Sequence, residues 1–274
     1  MNFIIFTDLD GTLLNQEDYD YKPALPVIEK LKQRQIPVVP VTSKTRQEVE
    51  FLRQEMGLSD PFIVENGSGI FIPKGDRRFL VADKLEQGDY YLNLLGCNYT
   101  EARSGLMKIA TRFGETWQGF GDLTEADIEQ LTGLNPEEVK LAKAREFTEP
   151  FITPKHISRE QIEQVASEQG FRVLVGDRFS HLLSAGAGKG KAVAELMTSY
   201  IRETDRAEKI VTIGLGNSPN DIEMLEAVDR AIVIPSRKGV HPELVNRGWQ
   251  IAPYDGSAGW AEVLTKIILS NSIF

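Results

Sequence analysis

The chain has 274 residues, 41% of them hydrophobic, enough to bury one large core or a core with a smaller companion domain. A formal net charge of −9 excludes the basic footprint of a nucleic-acid or anionic-membrane binder, so a site for a phosphorylated ligand has to gather its positive charge locally. The single cysteine, Cys97, excludes an intramolecular disulfide and a cysteine-rich zinc pattern, and it suits a reducing, cytoplasmic setting.

Phe3 to Phe6 open the chain as a short continuous apolar run, the pattern of a strand covered on both faces of a parallel sheet. The run is too short for a signal peptide or a membrane span, and nothing later reaches membrane length. It leads into Asp8-Leu9-Asp10-Gly11-Thr12 and so delivers two carboxylates to the carboxyl end of a strand, where open α/β sheets bind ligands. Asp8 is suited to attack phosphorus, and Asp10 to protonate a leaving oxygen and later deprotonate a water. Alone, the pair also fits a polar strand-end loop or the metal-binding Asp-x-Asp of a glycosyltransferase that uses nucleotide sugars.

Pro23 to Lys32 reads as a helix through Leu25, Ile28 and Leu31, followed by a strand over Ile36 to Val41 whose two prolines signal an edge or a bulge. Thr42 and Ser43 end that strand just before a helix, where a hydroxyl and free N–H groups can hold phosphate oxygens; capping the helix is the competing use. Lys44 and Arg46 add positive charge there. Thr45 with Glu48 predicts a capping box, and the helical face of Val49, Leu52 and Met56 ends at Gly57. Phe62-Ile63-Val64 and Gly69 to Ile72 flank a turn at Glu65-Asn66-Gly67. Between residues 83 and 183 the alternation of strand and helix blurs, which predicts an inserted domain within a core formed by residues 1–82 and 184–274. Alternation resumes with a helix from Lys189, a strand over Ile210 to Gly214, a helix over Pro219 to Val228 and a strand over Ala231 to Ile234.

Gly188-Lys189-Gly190-Lys191 places a lysine between glycines at a helix start, where it can approach Asp8 and a phosphate closely; Lys191 competes with Lys189 for that role. After the strand at Ile210, Ser218, Pro219 and Asp221 make a helix start. Asn217 and Asp221 also bring oxygen ligands of the kind Mg²⁺ prefers to the same strand end.

Taken in order, DxDGT, Thr/Ser, Lys and the Asn217–Asp221 segment resemble the signatures of the haloacid dehalogenase (HAD) superfamily, in the Cof-like branch with a C2-type cap. The resemblance implies an α/β fold: a Rossmann-like parallel-sheet core with an inserted α+β cap. It further implies Asp8 as nucleophile, Asp10 as acid/base, Thr42 as a phosphate contact, Lys189 as charge stabiliser, and Mg²⁺ as cofactor held by Asp8, the Asp10 carbonyl and Asp221. Asn217 stands where the family has an acid, so weaker Mg²⁺ binding or a larger share for Asp221 is expected, and a non-catalytic sensor is the alternative of a different class.

Strings in the insert, including Gly119-Phe120-Gly121-Asp122, Arg145 to Phe151 and Gly176 to His181, resemble the mannosyl-3-phosphoglycerate phosphatases. They imply a small phosphorylated sugar-glycerate as substrate, mannosyl or glucosyl, with no nucleic-acid or membrane partner; a phosphosugar mutase is the alternative within the superfamily. Candidate substrate contacts are Ser43, Lys44, Glu149, Arg178 and Ser180. Pro150 is read as ending a helix and leaving Glu149 at a loop mouth, open to sugar hydroxyls, and Arg178 as holding a carboxylate by two parallel hydrogen bonds. His181, on the opposite face of its extended segment from Arg178 and Ser180, is read as a packed, hydrogen-bonded residue. Trp117 and Phe120 are candidates to stack on a sugar or to pack between the domains.

Overall fold

Asn2–Thr7 form β1, the apolar run expected to be covered on both faces, and Ile4, Ile5 and Phe6 are buried. A computed structural model describes residues 2–80, 85–175, 179–200 and 210–269, which leaves Arg178 outside the described residues. After β1 come α1 (Leu25–Gln33), β2 (Val38–Pro40), α2 (Arg46–Met56), β3 (Phe62–Val64), β4 (Gly69–Pro73), β5 (Leu85–Gln87) and β6 (Tyr90–Leu94). The middle of the chain supplies α3 (Tyr99–Arg112), α4 (Glu125–Thr132), α5 (Pro136–Lys143), β7 (Glu149–Ile152), α6 (Arg159–Glu168), β8 (Phe171–Leu174) and β9 (Phe179–Ser184). The last third adds α7 (Lys189–Ser199), β10 (Ile210–Gly216), α8 (Ile222–Glu226), β11 (Arg230–Val233), β12 (Gln250–Ile251) and α9 (Gly256–Leu264).

A five-stranded parallel sheet in the order β12-β11-β10-β1-β2 forms the base. Side chains alternate across it. Ile5, Ile213 and Ile232 pack with α1, α2 and α9 on one face, while Ile4, Phe6 and Val233 pack with α7 and α8 on the other. The chain leaves β1 toward β2 on one side and returns through β10 on the other, so the crevice at the carboxyl ends of β1 and β10 is the topological switch point. Pro40 of β2 is accommodated because the N–H groups of this segment alternate. Val41 N–H bonds Thr7 in β1, whereas Val38 N–H is taken by the Asp60 carboxylate and Thr42 N–H by Ile63. Pro40 lies between those two, on the side where no donor to β1 is needed.

The boundary read at residue 83 does not coincide with a change of sheet. β6 pairs antiparallel with β4, and β5 with β6, in a four-stranded sheet in the order β3-β4-β6-β5, and this antiparallel sheet is what blurred the strand-helix alternation. The segment with its own core starts at Asn98, which caps α3 with Glu101 in a capping box. Its antiparallel sheet, ordered β7-β9-β8, carries α3 and α6 on one face through Leu106, Ile109 and Ile162 against Phe151, Val173 and Leu182. The α4–α5 hairpin covers part of the other face, through Ile128 and Val139 against Ile152 and Phe179. No helix among the described residues is long and apolar enough to cross a membrane.

Candidate active site

The carboxyl end of β1 is fixed from behind. Trp260 Nε1 in α9 donates to Thr7 Oγ1 at 3.0 Å, and that hydroxyl donates to the Asp8 carbonyl at 2.8 Å. Gly11, at φ +75°, turns the chain where no side chain fits, since a Cβ would lie 2.4 Å from Asn217 Nδ2. Asp8, Asp10 and Asn217 are thereby brought to one point.

Lys189 arrives from the opposite side. Gly67, at φ +87°, packs so tightly on the residue preceding α7 that a Cβ would lie 2.2 Å from the Gly188 carbonyl oxygen. That close approach seats Lys189, 2% exposed, with its ammonium donating to Asp8 Oδ1 and Asp221 Oδ1, both at 2.7 Å. Lys191 points elsewhere and donates to the Ala185 carbonyl at 2.8 Å. Two buried carboxylates share one ammonium. Burial first, and the Asp221 charge second, push the Asp8 carboxyl up to about 7 against the pull of Lys189. Burial alone would lower the Lys189 ammonium, but Asp221 and Asp8 together hold it above the ordinary lysine value.

Asp221 Oδ2 accepts from the N–H groups of Asn217 and Ser218, each at 3.0 Å. With Oδ1 on Lys189, Asp221 caps the turn at Pro219–Asp221 and holds Lys189. One arm of the Asn217 amide lies 3.1 Å from the Asp10 carbonyl oxygen and 3.3 Å from Asp8 Oδ2. With oxygen on that arm, carboxylate, carbonyl and amide oxygens converge without a proton between them, a donor set that a hard cation such as Mg²⁺ fits. With nitrogen there, the amide donates to both. Among the described residues no group of three or more His, Cys, Asp or Glu side chains forms a metal cluster.

Thr42 is fully buried beside this point, with its hydroxyl oxygen accepting from Lys44 N–H at 3.2 Å. Ser43 is half-buried, and its carbonyl accepts from Arg145 Nη1 at 3.1 Å. Lys44 stands 3.0 Å from Asp10 Oδ1 and 3.6 Å from Glu48 Oε1, with its ammonium over the Tyr19 ring. Asp10 and Lys44 thus form a charged pair at the mouth of the crevice, in front of the buried set of Asp8, Lys189 and Asp221.

The insert supplies less of the expected constellation. Glu149 is not at a loop mouth: it opens β7, and Pro150 occupies an edge strand instead of ending a helix. Pairing with Leu182 puts Glu149 on the face toward α3, where it is fully buried and accepts from Gly121 N–H at 3.0 Å and Arg103 Nη1 at 3.1 Å. Ser180 is on that same buried face, its hydroxyl 2.8 Å from that of Thr153. Neither is exposed to the crevice. Trp117 stacks between Phe113 and Phe151 inside the insert, and Phe120 packs edge-on against Phe179.

Glu65, read from sequence only as part of a turn, is the main tie between insert and core. It is fully buried at φ +49°, and its carboxylate accepts from the N–H groups of Glu146, Phe147 and Thr148 at 2.8, 3.2 and 2.8 Å, and from the Thr148 hydroxyl at 2.7 Å. Arg145 Nε lies 3.3 Å away. Phe147 meanwhile enters the core cluster against Phe71. Asn66-Gly67 announces a left-handed turn, but nothing in the sequence marks Glu65 as an anchor for donors some 80 residues on. Glu65→Ala strands those N–H groups and the Arg145 charge, and is expected to cost about 3 kcal/mol in urea unfolding. A midpoint unchanged with the same slope would contradict that.

The comparisons with known proteins agree with this geometry. A model of the haloacid dehalogenase-like hydrolase family matches residues 5–101. A glucosyl-3-phosphoglycerate/mannosyl-3-phosphoglycerate phosphatase of Persephonella marina is 43% identical over 265 residues, 97% of each chain. A mannosyl-3-phosphoglycerate phosphatase of Pyrococcus horikoshii is 39% identical, covering 86% of this chain and 91% of its own. Among solved structures, the sucrose-phosphatase of Synechocystis superposes with a TM-score of 0.64 at 18% identity, over 97% of this chain and 98% of its own, a likeness of fold.

Proposed function

We propose, from the premise that the chain belongs to the haloacid dehalogenase-like hydrolases and within them to the family of the glucosyl-3-phosphoglycerate/mannosyl-3-phosphoglycerate phosphatases, that it hydrolyses a glycosyl-3-phosphoglycerate to the glycosylglycerate and phosphate. That it is a phosphatase follows from the family. The substrate follows from relatives that match along almost the whole chain, insert included. The observation that carries the chemistry is the Asp8–Lys189–Asp221 set, a buried carboxylate held by a buried ammonium at the switch point of the sheet.

In this reading Asp8 attacks phosphorus and forms an aspartyl-phosphate, while Asp10, half-buried at the crevice mouth, protonates the departing glycerate oxygen. Asp10 then takes a proton from the water that releases phosphate. Lys189 stays on the buried side of the reacting group, where its charge counts most because water is excluded. Thr42 and Ser43 hold phosphate oxygens at the end of β2, and Lys44 offers a cation that is already at the mouth. The segment from residue 98 to 183 acts as the cap over the site. Mg²⁺, held by Asp8, the Asp10 carbonyl and Asn217, would supply the positive charge that two carboxylates sharing one lysine lack.

The test is release of inorganic phosphate from mannosyl-3-phosphoglycerate and glucosyl-3-phosphoglycerate, with and without Mg²⁺. Turnover of either that needs Mg²⁺ supports the reading, and the ratio of rates names the sugar; cleavage of simpler esters alone would remove the substrate. Asn217→Asp adds a charge where the amide now meets the Asp8 and Asp10 oxygens. It is expected to lower the Mg²⁺ concentration for half-maximal activity on the order of tenfold, as ~1.4 kcal/mol of added attraction would. An unchanged metal dependence would remove Asn217 from the metal site.

A further inference from the structure

Among the described residues, the cap sheet has two enclosed side-chain atoms without a hydrogen bond, Glu149 Oε2 and His181 Nδ1, and only the second belongs to a face turned away from α3 and α6. Register places His181 opposite Pro150 on β7 and Leu174 on β8, so its side chain stands on the face away from Leu182 and the α3–α6 layer. That face is covered by α4 and α5 around Ile152 and Phe179. Farther along it, Arg172 crosses to the core, donating to the Ala187 carbonyl at 3.3 Å and pairing with Glu223 at 2.5 Å, so this end of the sheet lies over the crevice. His181 Nδ1 is enclosed there and has no hydrogen-bond partner among the described residues.

The neighbours define what such an atom can take. Burial first, then the charges of Arg145 and Lys189, push the His181 imidazole down to about 3, so it is a neutral ring. Arg145 is itself nine-tenths buried, spends Nη1 on Ser43 and Nη2 on Thr148, and has its Nε 3.3 Å from the Glu65 carboxylate. Arg145 is paired with Glu65 and Lys189 with Asp8 and Asp221, so the unmet group at this corner is the ring itself. A carboxylate oxygen or a hydroxyl can accept from its Nδ1–H.

We propose that His181 is a positioning residue that donates from Nδ1–H to the glycerate carboxylate of the substrate, beside Arg145, while the phosphate lies at Asp8 and Lys189. The inference rests on the reading of the chain as a glycosyl-3-phosphoglycerate phosphatase. It also fits the covalent distance, because in a 3-phosphoglycerate the carboxylate and the phosphate sit on adjacent carbons and fall within one side chain's reach of each other. Binding the carboxylate from the cap fixes the ester bond over Asp8 and links recognition of the leaving group to closure.

The experiment compares kcat and KM of the wild type, His181→Leu and His181→Asn on mannosyl-3-phosphoglycerate, 3-phosphoglycerate, glycerol 3-phosphate and p-nitrophenyl phosphate. For His181→Leu, kcat/KM is expected to fall roughly 10- to 100-fold on the two carboxylate-bearing esters, the loss of one hydrogen bond to a charged group, and less than about threefold on the others. His181→Asn keeps an amide N–H near the position of Nδ1 and is expected to recover part of the loss on those two. An equal loss on all four esters, or no loss, overturns the proposal, and so does a loss on the mannosyl ester alone, which would make His181 a sugar contact. If the wild type releases no phosphate from glycosyl esters, the substrate reading fails by itself. The ratio between 3-phosphoglycerate and glycerol 3-phosphate then still decides whether His181 reads a carboxylate.

Discussion

Asp8→Asn is expected to lower phosphate release on the order of 10⁴- to 10⁶-fold while leaving the protein folded, because an amide oxygen cannot form the aspartyl-phosphate on which both half-reactions depend. The fold is expected to survive because Lys189 keeps its second partner, Asp221, at 2.7 Å. The sign of the stability change is also fixed. The Asp8 carboxyl is pushed up to about 7 in the folded protein from an ordinary value of 3.8, so the folded state holds a proton that the unfolded chain releases. In the metal-free protein this costs stability progressively as pH rises from about 4 through 7, and Asp8→Asn removes that cost. The variant should therefore be at least as stable as the wild type at pH 7.5 without Mg²⁺. Acid quench of the wild type during turnover, followed by intact mass measurement, should reveal a phosphoryl adduct that Asp8→Asn lacks. Activity of the variant within tenfold of the wild type would mean that another group is the nucleophile.

Most of the core was legible because its signals are local. The apolar run before Asp8 demanded a doubly covered strand, and Thr45 with Glu48 demanded a helix start; both stand where they were read. The insert was less legible because its key facts are facts of register. Glu149 and Ser180 were assigned to the site from a helix end and an extended face, yet a shift of one residue along a strand exchanges the crevice for the interior, and pairing with Leu182 and Phe151 put both inside. The same rule keeps His181 on the opposite face from Ser180, as read, but leaves its enclosed Nδ1 without the hydrogen bond expected of it among the described residues. Glu65 escaped notice because its partners are backbone N–H groups, which leave no trace in sequence.

Lys189→Met should have the largest effect on stability, and that effect should depend on pH. The substitution keeps an unbranched chain of similar length and leaves the close backbone approach of Gly67 to Gly188 intact, but it leaves Asp8 Oδ1 and Asp221 Oδ1 buried with no cation between them. Breaking a buried ion pair by removing one partner costs about 3–5 kcal/mol, because the other charge stays behind. In the wild type the folded-state value of Lys189 is raised, so its contribution is fully present below the ordinary lysine value of 10.5 and is lost only as pH rises through the higher, folded one. The variant behaves differently. Without the lysine the Asp8 carboxyl is raised further above 3.8, so the folded state holds its proton over a wider range and loses stability as pH climbs through it. Because the wild type also holds the Asp8 proton up to about 7, the gap should stay nearly constant from pH 4.5 to 7 and widen as pH rises above it, so that it is larger at pH 9 than at pH 4.5. Urea midpoints at the two pH values, measured without Mg²⁺, test this directly. A gap equal at both would show that Lys189 acts through packing and not through charge. Added Mg²⁺ should narrow the gap at pH 7.5, since a cation at Asp8 supplies part of the charge that the variant has lost.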